Sequence, residues 1–181
     1  LVGEQVVAGY AQPFVATLDG GLTLLPLPDG FLSGIAFDAN ASGTVVGTVA
    51  DSGFPWDLGE PALWTPDGAG GYAVTLLEYP ETVEVAGQLR PTGGGQAVAI
   101  NDAGQMVGFA RLQGSQGGPA MLFSTTAEPL NLGALGFAAT PRALSDQGVV
   151  VGDGLRLDLA SGTVTDLGLP EPAGGVPFSR V

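Results

Sequence analysis

One pattern, Asn/Asp-x-x-Gly-x-Val-Val-Gly, recurs along this chain, and a repeat restricts the available folds more tightly than composition does. It reads Asn40-Ala41-Ser42-Gly43-Thr44-Val45-Val46-Gly47, then Asn101-Asp102-Ala103-Gly104-Gln105-Met106-Val107-Gly108, then Ser145-Asp146-Gln147-Gly148-Val149-Val150-Val151-Gly152. Near the N-terminus, Gly3-Glu4-Gln5-Val6-Val7-Ala8-Gly9 aligns as a first copy. With the first glycine of each copy as the marker, Gly3, Gly43, Gly104 and Gly148 follow one another at 40, 61 and 44 residues.

Every copy continues in the same order. An apolar stretch comes next (13–16, 61–64, 119–123 and 154–157), then a turn (19–21, 66–68, 124–126 and 160–162). A second apolar stretch follows at 22–25, 74–77, 130–132 and 164–167. One more short strand precedes the core at 34–37, 96–100 and 141–144. The first copy has no such strand ahead of it, but Val176-Pro177-Phe178-Ser179-Arg180-Val181 has its character. Short apolar runs divided by turn residues read as four antiparallel strands, here A to D in chain order. No segment carries a sustained helical period.

A single four-stranded unit cannot bury both of its faces, whereas stacked copies can. A unit of about 45 residues with four strands fits a propeller blade. The sequence therefore predicts an all-β chain forming one domain over residues 1–181, a closed four-bladed β-propeller of four-stranded antiparallel blades. The first blade takes residues 1–30 plus 174–181, so that the C-terminal strand completes the N-terminal blade. The others take 31–94, 95–139 and 140–173. A fragment of a longer propeller is the competing expectation.

Composition narrows the chemistry. The 181 residues are 45% apolar and 13% charged, which places them among globular chains. With no cysteine and no histidine, disulfides, thiolate sites, the usual general base and the usual transition-metal ligand are excluded. A net charge of −13 disfavours nucleic acid and anionic membranes as partners. No apolar run approaches the length of a membrane-spanning helix, so membrane insertion is not expected. Asp38, Asn40, Asn101, Asp102 and Asp146 supply one or two side-chain oxygens per corner, against the six to eight that calcium requires, so they read as turn residues. Neither metal nor cofactor is expected. Asn40-Ala41-Ser42 matches a glycosylation sequon, but the repeat itself accounts for the match.

The segment Ala-Ile-Asn-Asp-Ala-Gly-Gln-Met-Val-Gly at 99–108 resembles the HAF repeat of predicted bacterial extracellular proteins. Leu63-Trp64 and the tail Asp166-Leu167-Gly168 share that likeness, with variants at Leu122-Phe123 and Asn131-Leu132-Gly133. Ser145 stands where the pattern has Asn. The resemblance covers essentially the whole chain. It implies a propeller-like repeat protein that is secreted or held at the cell surface, and no particular reaction.

In an antiparallel meander the B–C and D–A loops share one end. The long connections, 48–60, 80–95 and 110–118, all belong to that end. Loops on a rigid scaffold are where binding usually resides. Trp56 interrupts the repeat among acidic residues, and an exposed Trp beside carboxylates suits stacking on a sugar. The other reading has Trp56 and Phe54 folded back as a plug. The candidate site is Phe54, Trp56, Asp57, Glu60, Tyr79, Glu81, Glu84 and Arg90. The expected role is a non-catalytic, extracellular binding or surface-structural module, with a polysaccharide or a protein as partner. Two alternatives remain: a glycosidase-like enzyme pairing carboxylates among Asp57, Glu60, Glu81 and Glu84, and a scaffold subunit that contacts another protein.

Overall fold

A computed structural model describes residues 1–53, 59–115 and 117–168. Among these residues the strands form four antiparallel sheets, each a meander in chain order, and there is no α-helix. The first sheet is β1 (Val2–Val7), β2 (Tyr10–Ala16) and β3 (Leu22–Leu24). The second is β4 (Ser33–Ala39), β5 (Val45–Ala50), β6 (Glu60–Pro66) and β7 (Tyr72–Leu76). The third is β8 (Thr82–Val85), β9 (Gln88–Ile100), β10 (Met106–Leu112), β11 (Ala120–Phe123) and β12 (Leu130–Asn131), followed by a 3-10 turn, Leu132–Leu135. The fourth is β13 (Ala143–Leu144), β14 (Val149–Gly152), β15 (Leu155–Asp158) and β16 (Thr163–Asp166). The C-terminal strand predicted at 174–181 lies outside the described residues.

The Val-Val pair of the repeat follows from the two-residue period of a strand, which sends neighbouring side chains to opposite faces. Val45 packs toward the first sheet, in a core with Leu25, Val49, Ala62 and Trp64. Its neighbour Val46 packs toward the third sheet, with Leu63, Leu77, Met106, Met121 and Phe123. One repeat later, Val107 joins Leu132, Phe137, Val150 and Leu157 between the third and fourth sheets. The second and third sheets thus each give one apolar residue of the pair to each neighbour. Burial on this scale accounts for about 1.5–3 kcal/mol per large apolar side chain.

The second glycine of the repeat is demanded by close approach. A Cβ on Gly47 would lie 2.0 Å from the oxygen of Ile35, on Gly108 1.8 Å from that of Gln96, and on Gly152 2.0 Å from that of Thr140. The oxygen belongs to the preceding strand at Ile35 and Gln96 and to the approach to it at Thr140, in each case five residues before Asn40, Asn101 or Ser145.

The register of the first copy needs correction. Gly3 lies opposite Phe14, as Gly47 lies opposite Ala62, Gly108 opposite Met121 and Gly152 opposite Leu155. The Leu25 amide donates to Pro13 at 2.8 Å, matching Leu77 to Pro61 at 2.8 Å. Leu1-Val2-Gly3 is therefore the Val-Val-Gly of the first copy, and Gly3 is its second glycine. Ala16 occupies the position of Trp64 and Phe123. Val6-Val7-Ala8-Gly9 imitates the core, but Ala8 (φ 52°) and Gly9 (φ 88°) form the two-residue hairpin turn between β1 and β2.

A second correction concerns 80–95, expected as a long loop. Most of it is the β8–β9 hairpin, turned by Ala86 (φ 51°) and Gly87 (φ 77°). The 13-residue β9 pairs with β8 through its first residues and with β10 from Thr92 onward.

Candidate functional site

The meander sorts the connections as the sequence predicts, with B–C and D–A loops at one end and the repeat corners at the other. At the loop end, Glu60 opens β6 and Tyr79 follows β7, both partly buried. The Tyr79 hydroxyl donates to Glu60 Oε1 at 3.0 Å, while its ring packs on the core between the second and third sheets. Burial first, then the Glu60 acceptor and its charge, push the Tyr79 phenol up to about 12.

Main-chain bonds hold this junction rigid. Thr48 Oγ1 lies 3.2 Å from both the Glu60 and the Gly95 carbonyl oxygens, and the Gly95 amide donates to Gly59 at 2.7 Å. The Thr92 hydroxyl donates to the Pro80 carbonyl, and its amide donates to Glu81 at 2.9 Å. Arg111, only 3% exposed, brings a buried guanidinium to the same end of β10. Its signal in the sequence is a lone arginine between Ala110 and Leu112 in an apolar strand.

Of the predicted site residues, the structure brings Glu60 and Tyr79 together. Glu81, Glu84 and Arg90 are exposed residues of the β8–β9 hairpin or its approach, with Glu84 opposite Leu89 and Arg90 opposite Val83. The Glu84 main-chain oxygen accepts a bond from Asn131 Nδ2 at 3.3 Å. Phe54, Trp56 and Asp57 lie outside the described residues. Among the described residues, no three acidic side chains gather closely enough to hold a metal ion.

The corner end is more ordered than the sequence suggests. Asn40 Nδ2 donates to the oxygen of Asn101 at 3.2 Å, and Asn101 Nδ2 donates to that of Ser145 at 3.0 Å. The Ala41 amide donates to Asp102 Oδ1 at 2.7 Å, and the Asp102 amide to Asp146 Oδ1 at 3.0 Å. Asp38 accepts from the Ala39 and Ile100 amides. These oxygens are engaged by backbone donors, which is what turn and junction residues require. An open groove of about 320 Å³ between two corners is lined by Asn40, Ser42, Asp102 and Thr125 over Leu63 and Met106.

The carboxyls held low are turn residues as well. Asp19 is lowered first by the Thr17 hydroxyl, and Asp158 by the Ser161 amide. At Asp153 burial acts upward, but the Thr140 amide and the Arg142 guanidinium outweigh it and hold the carboxyl below its ordinary range. Arg142 pairs with Asp153 at 3.3 Å and Arg156 with Asp158 at 3.7 Å.

Comparison with known proteins finds no matching family model, no matching curated protein and no matching solved structure. Among the described residues, fold and site together define an all-β protein of four antiparallel sheets, with Asn side chains joining the corners of the second, third and fourth.

Proposed function

We propose that this chain is a non-catalytic binding module, built as a four-bladed propeller, that takes a carbohydrate at its loop end. The observation that carries the reading is the Tyr79–Glu60 hydrogen bond, set partly buried where the second and third sheets meet. A fixed aromatic ring beside an acceptor carboxylate is the pairing that sugar rings and their hydroxyls use. The rigid main-chain bonds around Thr48, Gly59 and Gly95 would hold that pair in place before a ligand arrives. Trp56, in the adjoining connection, would add a stacking surface. The resemblance to exported repeat proteins makes the extracellular space or the cell surface the expected location.

The test is thermal unfolding against a panel of neutral and acidic polysaccharides, with Tyr79→Phe, Glu60→Gln and Trp56→Ala beside the parent. A ligand at a hundred times its Kd adds about 2.7 kcal/mol, a shift of a few degrees in a domain of this size. The reading expects a shift that weakens in all three variants. A shift that all three retain would move the site elsewhere, and product formation from the polysaccharide would favour the glycosidase-like alternative. No shift with any polysaccharide would leave the scaffold role, with a protein as partner.

A further inference from the structure

Two successive gaps between repeat corners are finished differently. The position after the first glycine of the repeat is Thr44 in the second sheet's corner and Gln105 in the third's. Between the third and fourth corners, Asn101 Nδ2 donates twice, to the Ser145 carbonyl at 3.0 Å and to Gln105 Oε1 at 2.7 Å. The Gln105 side chain fills that gap, since a Cβ on Gly148 would come 3.2 Å from its Oε1. Between the second and third corners, the shorter Thr44 keeps its hydroxyl beside that of Ser42 at 3.1 Å. A Cβ on Gly104, the counterpart of Gly148, would meet nothing within 4 Å. The open groove of about 320 Å³ lies in this gap. Asn40 is oriented as Asn101 is, with Oδ1 on the amide of its own turn and Nδ2 on the carbonyl of the next corner. A side-chain amide has two hydrogens to donate, and the second one of Asn40 has no acceptor among the described residues. By the repeat, it points to where an amide oxygen sits in the next gap.

We infer that this groove is a binding site of its own, for the acetamido group of an N-acetylated sugar. Gln105 displays the chemistry that fits, a neutral amide whose oxygen accepts from the Asn side chain. In the open gap the acetamido carbonyl takes that place against Asn40 Nδ2. Asp102 accepts the Ala41 amide through Oδ1, and its Oδ2, which has no donor among the described residues, receives the acetamido N–H. The methyl falls on the floor of Leu63 and Met106, and the Thr65 and Thr125 side chains line the remainder for the sugar ring. The volume is at the small end of ligand sites, which suits a single sugar unit. The Asp102 carboxylate, on a chain of net charge −13, turns away ligands that carry a carboxylate. The groove is at the corner end and the Tyr79–Glu60 pair at the loop end, so the inference goes beyond the loop-end reading.

The test is an amide NMR titration of the isotope-labelled chain with N-acetylglucosamine, and with glucose as the probe that lacks the amide. The inference expects saturating shifts of the Asn40 side-chain amide and of the Ala103 and Gly104 main-chain amides with the first sugar, and none there with the second. Thr44→Gln places in this gap the residue that fills the next one, so it should abolish those shifts while leaving the Tm at or above the parent's. Thr44→Val keeps the groove open and should retain them. No shift at these amides, or equal shifts with glucose, would overturn the inference, and both are read on the parent chain whether or not Thr44→Gln folds. Shifts that persist in a folded Thr44→Gln would overturn the site. A capped glutamine that binds there where the sugar does not would assign the groove to a peptide and overturn the sugar. Shifts confined to the surroundings of Tyr79 and Glu60 would overturn this inference while supporting the loop-end reading, so the two fail separately.

Discussion

Asn40 and Asn101 lie 61 residues apart, yet the side-chain amide of one donates to the main-chain oxygen of the other at 3.2 Å. Asn101 repeats the bond to Ser145, one sheet further on. The same side chains close their own turns, since Asn40 Oδ1 accepts the Thr44 amide at 3.0 Å and Asn101 Oδ1 the Gln105 amide at 2.9 Å. One residue therefore shapes a corner and fastens it to the next. Both the carbonyl and the amine of the side chain are used, which explains the preference for Asn over Asp at these two corners.

Asn101→Asp separates the two roles. The carboxylate still accepts from Gln105, but it has no hydrogen for Ser145, and it places a charge at a position only 2% exposed. Leaving a buried acceptor unpaired costs about 1–3 kcal/mol, more when a charge is involved. Urea denaturation at neutral pH should show a loss of at least that size. Part of it should return in acid, where a protonated carboxyl can donate again. A variant equally unstable at both values would mean that the missing donor is not the cause.

The two glycine classes of the repeat predict unequal penalties. Gly108→Ala drives a methyl into the Gln96 carbonyl, and a backbone clash at 1.8 Å has no flexible neighbour to yield. The expected loss exceeds about 3 kcal/mol, in the range kept for core disruption. Gly68 has φ 76° and nothing within 4 Å of a new Cβ, so Gly68→Ala carries only the left-handed backbone cost of about 1–2 kcal/mol. Chemical denaturation of the pair measures both, and equal losses would contradict the steric account.

Much of this was legible beforehand because it is local and periodic. Val45-Val46 and Met106-Val107 announce strands buried on both faces, and Asn-x-x-Gly announces a corner. The first copy misled because Val6-Val7-Ala8-Gly9 offers a second valine pair before a glycine, and only the pairing of Gly3 with Phe14 decides between them. The β8–β9 hairpin was hidden by Pro91 and the glycines 93–95, which read as loop. In the structure they mark where β9 exchanges β8 for β10, and where Gly94 lets the Gly59 carbonyl approach. At the site, Tyr79 and Glu60 were both nameable from sequence, but their hydrogen bond depends on the packing of two sheets. So do the corner bonds, whose partners are separated by whole repeats.

Trp64 joins the first two sheets twice over. It is wholly buried among Leu25, Val45 and Val49, and its indole nitrogen donates to the Pro26 carbonyl at 2.7 Å. Trp64→Ala should cost about 3–5 kcal/mol. Trp64→Phe retains most of the apolar contact but strands the Pro26 oxygen, so about 1–3 kcal/mol is expected. Denaturation midpoints should rank parent, Phe, Ala, and a Phe variant as unstable as Ala would assign nearly all of the effect to the hydrogen bond.

Tyr79 predicts an alkaline transition. Its phenol is pushed from 10 up to about 12, by burial first and then by Glu60. The folded chain therefore keeps a proton that the unfolded chain releases above pH 10. Stability from this group is complete below pH 10 and is lost as pH rises toward about 12. Tyr79→Phe should flatten that part of the pH–stability profile and remove a phenolate absorbance step near pH 12. Glu60→Gln should move the step toward 10 without bringing it all the way, because burial remains when the charge is gone. A step that stays in place in Glu60→Gln would leave burial alone as its cause, and one that survives Tyr79→Phe would belong to another tyrosine.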